Sequence, residues 1–162
     1  MDRFEVLNRL GQGAYSQVYH VRRHEDAKEY ALKIVKLSNL DPKMLQNSLN
    51  EVRILASLHD PNIIGYKEAF LDQSTESLYI VMEYVDGGDL HEKIVSLAKQ
   101  GRYFTEADIW RIFIQMVFGL RSLHDMDIIH RDLKSANVFI GSNGAVKIGD
   151  LNVSKVFKNE MN

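Results

Sequence analysis

Hydrophobic periodicity switches once along this chain, and the switch limits what it can fold into. Up to Val85 most apolar residues recur at every second position, the spacing of strands. Beyond Val85-Asp86-Gly87-Gly88-Asp89-Leu90 they recur at every third or fourth, the spacing of helices. One helical segment interrupts the first part. The expected class is therefore α+β: a strand-rich unit at 1–85 carrying one helix, then a helical unit at 86–162.

Local signals fill in this plan. FEVLNRL (4–10) and QVYHVRR (17–23) flank GQGAYS (11–16), which reads as a hairpin with a glycine-rich turn. In KEYALKIVKL (28–37), Ala31 and Lys33 fall on one strand face and Tyr30, Leu32 and Ile34 on the other. Asp41-Pro42 reads as a helix start, an N-cap followed by proline at the first helical position. Leu45, Leu49, Val52, Leu55 and Leu58 follow at helical spacing, up to the turn cluster His59-Asp60-Pro61-Asn62. Strands are expected at IIGYKEAF (63–70) and LYIVMEYV (78–85), joined by the polar LDQSTES. Asp89 is placed to cap a helix reaching about Lys99. Thr105, with Asp108 as the fourth member of a capping box, opens a longer one. That helix carries Ile109, Phe113, Met116, Leu120 and Leu123 on one face. Two short strands, VFI (138–140) and AVKI (145–148), are joined by the turn GSNG.

Composition excludes several functions. With 45% hydrophobic residues the 162-residue chain can form a core. A formal net charge of −2 and the lack of any long run of one sign argue against nucleic acid or a membrane surface as partner. Cysteine is absent, which removes disulfides and thiolate-held metal. MDRFEVLNRL is charged from its second residue, with no apolar leader. No apolar run approaches the roughly 20 residues of a membrane-spanning helix. The expectation is a soluble protein of the cytoplasm or nucleus.

The chemistry sits in residues that mean little one at a time. A glycine pair is usually a turn, although glycines also let backbone N–H groups approach phosphate oxygens. Lys33 on a strand and Glu51 on a helix would ordinarily be solvated surface charges. Their order is what counts: a glycine loop, Ala-Leu-Lys on the next strand, a glutamate on the following helix, HRDLKSAN (130–137), and Asp150 at a strand end.

In that order the sequence resembles the eukaryotic protein kinases from Phe4 to about Val156. HRDLKSAN fits the pattern H-R-D-L-x-x-x-N at every fixed position, and GQGAYSQV stands where G-x-G-x-x-G-x-V is common. YALK stands where V-A-I-K is common. LHDPNII, LYIVMEYVDGGDL, IHRDLKSANVFI and VKIGDLNVSKV are similar to the NIMA-related branch. The resemblance implies a two-lobe kinase fold with a complete β-rich small lobe and a truncated helical large lobe. It implies ATP- and Mg²⁺-dependent phosphoryl transfer to serine or threonine of protein substrates, which rests on positioning and electrostatics. Leu10, Gly11 and Gly13 would cover ATP, with Val18 and Ala31 above the adenine and Phe139 below. Lys33, held by Glu51, would contact the phosphates. Met82, Glu83 and Val85 match the gatekeeper and hinge. Asp132 would orient the attacking hydroxyl, and Lys134, the serine/threonine pattern, would stabilise the transferring group. Asn137 and Asp150 would hold Mg²⁺. His130 is expected to be structural, stacking with Leu151, Leu55 and Tyr66. Cytoskeletal, ciliary or nuclear association is implied by the branch alone.

Three departures stand out. Ser16 replaces the third loop glycine, past the tip of the turn. Asn152 replaces the glycine after Asp150-Leu151, and asparagine is among the residues that best tolerate positive φ. The chain ends at Asn162, without the rest of an activation segment. The expectation is the N-terminal portion of a kinase, whose long helix would be covered by a missing segment or a protein partner. Two alternatives remain at this stage: a nucleotide-binding pseudokinase scaffold without catalysis, and a fragment that does not fold alone.

Overall fold

The computed structural model describes residues 2–13, 16–39, 41–151 and 155–156; for residues 39, 44, 47, 50, 51, 155 and 156 it describes the backbone only. The chain forms two compact units. The first comprises residues 1–57 and 65–84, and the second residues 58–64 and 85–162.

The first unit is a five-stranded antiparallel sheet with one helix. Its strands are β1 (Phe4–Gln12), β2 (Ser16–Arg23), β3 (Glu29–Lys36), β4 (Tyr66–Asp72) and β5 (Ser77–Glu83), in the order β1-β2-β3-β5-β4. Helix α1 (Pro42–Ser57) lies between β3 and β4 in sequence. The period-two pattern of β3 divides as expected. Tyr30 and Leu32 point into a core with Phe4, Val21, Tyr79 and Val81, against which Ile34 packs. Burying residues such as Val21 and Leu32 completely stabilises the sheet by about 1.5–3 kcal/mol each. Arg23, the last residue of β2, donates to Asp26, Glu68 and the Tyr30 hydroxyl. Its guanidinium holds the Asp26 carboxyl far below the usual carboxylate range.

The second unit contains α2 (Leu90–Lys99), α3 (Glu106–His124), and the short strands β6 (Ile128–Ile129), β7 (Val138–Ile140), β8 (Val146–Ile148) and β9 (Lys155–Val156). Both cap signals are realised. Asp89 accepts from the Glu92 N–H at 2.8 Å. Thr105 and Asp108 close both arms of a capping box. Aspartate serves at the fourth place because its carboxylate reaches the Thr105 N–H at 3.4 Å and accepts from its hydroxyl at 2.7 Å. Among the described residues no helix is long and apolar enough to cross a membrane.

Two expectations are corrected here. Ile63 and Ile64 do not extend β4, which begins at Tyr66. They belong to the second unit, where the Ile64 N–H donates to the Ile148 carbonyl at 2.9 Å. Asn62 anchors the segment, donating from Nδ2 to the Val146 carbonyl at 2.9 Å and to Gln115 Oε1 at 3.3 Å. An apolar pair beside a turn satisfies either placement, and these side-chain bonds decide it. The α3 stripe also differs. Leu123 is fully buried, but Ile109 and Phe113 are exposed, as are Trp110, Ile114, Val117 and Phe118. The apolar residues of α3 lie on several sides of the helix, so spacing alone did not identify the face that packs.

Candidate active site

In the first unit the sheet register arranges the predicted nucleotide residues in two adjacent rows. Residues opposite one another in antiparallel strands share a face. One row runs Gly11, Val18, Lys33 and Ile80 across β1, β2, β3 and β5; the next runs Asn8, His20, Ala31 and Met82. Gly11, Val18, Ala31, Lys33 and Met82 thus fall together on the face opposite the Tyr30–Leu32 core. Leu10 is the extra residue of a bulge between Arg9 and Gly11, and it is exposed. Gly13 donates its N–H to the Ser16 carbonyl at 2.7 Å, closing the turn. Lys33 is only 6% exposed. A surface lysine would not be, so the ordinary reading of a strand lysine fails at this position. Glu51 lies on α1, but its side chain is outside the described residues, as is Asn152. Glu83 ends β5, with its N–H donating to the Gly65 carbonyl at 2.7 Å and its Oε2 accepting from the Gly65 N–H at 3.1 Å.

In the second unit, Asp132, Lys134 and Asn137 come together in the loop between β6 and β7. Lys134 Nζ donates to Asp132 Oδ2 at 2.8 Å. Asn137 Nδ2 donates to the same oxygen at 3.1 Å and to the Asp132 carbonyl at 2.9 Å. The Lys134 ammonium is the main reason the Asp132 carboxyl sits below its usual range, and Asp132 in turn raises Lys134. Asp132 is therefore an ionised, fixed acceptor. Both bonds of Asn137 use its amide nitrogen, which orients the buried amide.

Gly149 ties this loop to Asp150 through both of its backbone polar groups. Its N–H donates to the Asn137 carbonyl at 2.9 Å, and its carbonyl accepts from His130 Nε2 at 3.0 Å. His130 Nδ1 accepts from the Asp132 N–H at 3.3 Å. These partners fix the tautomer, since a carbonyl requires the proton on Nε2 and an N–H requires a bare Nδ1. His130, 2% exposed, is thus a bridge between Asp132 and the residue before Asp150. The expectation of a structural role did not include these two hydrogen bonds; Leu151, one of its expected packing partners, is buried in the same unit. A Cβ at Gly149 would lie 2.9 Å from both Ile64 Cγ1 and Phe139 Cε2, so the close approach requires glycine. Arg131 and Asp150 both hold positive φ, 65° and 57°. Such angles in non-glycine residues cluster at functional sites.

Sequence reasoning passed over Gly149, although a glycine between a strand and an aspartate was a visible signal for it. Val85, the first residue of the second unit's longer segment, and Phe139, in β7, are both half-buried. Among the described residues no three histidine, cysteine or acidic side chains form a metal-holding group. One carboxylate and one amide oxygen suit Mg²⁺, which is commonly held by one or two protein ligands together with water and substrate phosphate.

The protein kinase domain family matches residues 4–162. The chain is 38% identical over 156 residues to the serine/threonine-protein kinase Nek1 of Mus musculus, covering 96% of this chain and 13% of that protein. It is 34% identical to the probable serine/threonine-protein kinase nek2 of Dictyostelium discoideum, covering 99% of this chain and 39% of that protein. It is 36% identical to the human serine/threonine-protein kinase Nek5, covering 99% of this chain and 22% of that protein. The chain thus spans well under half the length of these relatives. With the family matched from Phe4 to the last residue, the chain belongs to the protein kinases and is similar to their Nek members.

Proposed function

We propose that this protein transfers the terminal phosphoryl group of ATP, with Mg²⁺, to serine or threonine hydroxyls of protein substrates inside the cell. The observation that carries the reading is Asp132: an ionised carboxylate fixed by Lys134 and Asn137, bridged through His130 to Gly149 beside Asp150. ATP would lie against the two rows of the first unit, with Lys33 toward its phosphates and Ala31 and Val18 toward its base. Glu83's N–H is engaged with Gly65, so its contribution to the base edge falls to its carbonyl. Asn137 Oδ1 and the Asp150 carboxylate would hold Mg²⁺, which supplies positive charge where the transferred group is negative.

Asp132 has two tasks. Its carboxylate accepts a hydrogen bond from the substrate hydroxyl, aiming the oxygen at phosphorus, and takes the proton as the new bond forms. A depressed pKa suits the first task and makes proton acceptance a late event. Lys134, held against Asp132 and still exposed, is within reach of the negative charge on the transferred group. The test is Asp132→Asn in the full-length protein. Phosphotransfer should fall about a hundredfold or more with ATP affinity retained. Undiminished phosphotransfer would overturn the assignment.

A further inference from the structure

We propose that Asp86 and Ser142 are positioning residues for nucleotide binding: their paired hydrogen bonds latch the segment after Val85 onto the β7–β8 turn, fixing Val85 relative to Phe139, so that opening the latch weakens ATP binding. Neither residue touches the nucleotide. The inference rests on the nucleotide reading above and extends it to two residues outside the kinase motifs.

Asp86 and Ser142 lie 56 residues apart in sequence. The Ser142 N–H donates to Asp86 Oδ1 at 2.8 Å, and the Ser142 hydroxyl donates to Asp86 Oδ2 at 2.5 Å. One carboxylate thus engages both donors of one residue. These donors hold the Asp86 carboxyl below its usual range, the hydroxyl first and the N–H second. The carboxylate is therefore ionised and the bonds are charge-assisted. The turn that presents Ser142 is braced on its own account. The Gly141 N–H donates to the Ala145 carbonyl at 2.8 Å, and the Gly144 N–H to the Gly141 carbonyl at 2.9 Å. Asn143 Oδ1 accepts from the Ala145 N–H at 3.0 Å.

The latch adjoins two positions expected at the base of the nucleotide. Val85, matched above to the hinge, directly precedes Asp86. Phe139, expected below the adenine, forms a β-bridge with Asp89. Between Val85 and Asp89 the chain carries Gly87 and Gly88, the latter at φ 75°. Glycines have the widest backbone freedom, so this stretch does not hold Val85 by stiffness. The next bond from it to β7 is at the Gly88 carbonyl, which accepts from the Ile140 N–H at 3.0 Å. Asp86 supplies a tie immediately beside Val85, where the glycines supply none. Both bonds are exposed, so opening them should loosen the segment rather than unfold the unit.

The experiment measures dissociation constants for ATP with excess Mg²⁺ in the full-length wild type, Asp86→Ala, Ser142→Ala, Ser142→Thr and Ser74→Ala. Each is measured where thermal denaturation shows the protein folded. Ser74 is the control. Its N–H and hydroxyl bond Asp72 Oδ1 at 3.0 and 2.7 Å in the turn between β4 and β5, at the end of β5 away from Met82 and Glu83. Asp86→Ala should raise the constant about three- to tenfold, and Ser142→Ala, which keeps the N–H, about two- to fivefold. Ser142→Thr keeps both donors and, like Ser74→Ala, should stay within about twofold of wild type. If Asp86→Ala fails to fold, the comparison of Ser142→Ala with Ser142→Thr carries the test. Latch variants that bind ATP like wild type, a loss matched by Ser74→Ala, or a threonine variant no better than the alanine one overturns the inference while leaving the nucleotide reading standing. A wild type that binds no ATP overturns both.

Discussion

Replacing His130 separates a packing role from a bridging one. The ring is 2% exposed and satisfies two backbone groups, the Gly149 carbonyl at 3.0 Å and the Asp132 N–H at 3.3 Å. His130→Phe keeps most of the volume and removes both bonds. Leaving the buried Gly149 carbonyl without a partner costs about 1–3 kcal/mol and the part-buried Asp132 N–H about 1, so a loss of about 2–4 kcal/mol is expected. His130→Ala adds a cavity and should cost about 3–5 kcal/mol. For a chain of 162 residues each kcal/mol shifts Tm by about 2–4 °C, which puts the phenylalanine variant about 5–15 °C below wild type. The assay is thermal denaturation paired with kcat at a temperature where both proteins are folded. The bridge should register in kcat, because Asp132 and Asp150 lose their common tie, while KM for ATP changes little. A His130→Phe protein within about 0.5 kcal/mol of wild type and equal in kcat would refute the reasoning, leaving His130 as filler alone.

Other outcomes follow from single contacts. Lys134→Met removes the main cause of the depressed Asp132 pKa; since catalysis requires the ionised carboxylate and fails as pH falls through that pKa, the acid limb of the pH–rate profile should move to higher pH. Gly87→Ala would place a Cβ 2.0 Å from the Ile140 carbonyl oxygen, a backbone clash expected to cost about 3 kcal/mol or more by denaturant titration. Gly11→Ala meets nothing within 4 Å, so it should leave stability within about 0.5 kcal/mol and register in ATP affinity. Asp26 is stabilised as a carboxylate by Arg23 and then by the Tyr30 hydroxyl, so its contribution is present above the ordinary aspartate pKa of about 3.9 and is lost as pH falls toward its lowered value. The stability difference between wild type and Asp26→Asn should therefore narrow in acid, as read by urea titration at several pH values.

Much of this was legible because it is local. The cap residues Asp89 and Thr105 announce α2 and α3, and Tyr30-Ala31-Leu32-Lys33 announces which face of β3 is core. What escaped depends on pairs distant in sequence. Nothing in Ile63-Ile64 says that Asn62 will bond to Val146 and Gln115, so an apolar run was read as strand. Nothing near Asp86 names Ser142, and nothing near Gly149 names Asn137 and His130. The burial of Lys33 is likewise a property of the assembled sheet. The motif residues could be picked out by order alone; the hydrogen bonds that hold them could not.

The left-handed backbone at Asp150 bears on how this protein responds to mutation. A non-glycine residue at φ 57° is disfavoured by roughly 1 kcal/mol relative to glycine, although aspartate tolerates the region better than most. The backbone at 150 therefore favours glycine while the proposed chemistry needs a carboxylate. Variants selected only for resistance to heat would be drawn toward glycine at this site and would lose the proposed metal ligand as they gained stability. Position 150 is a place where durability and turnover select for different residues.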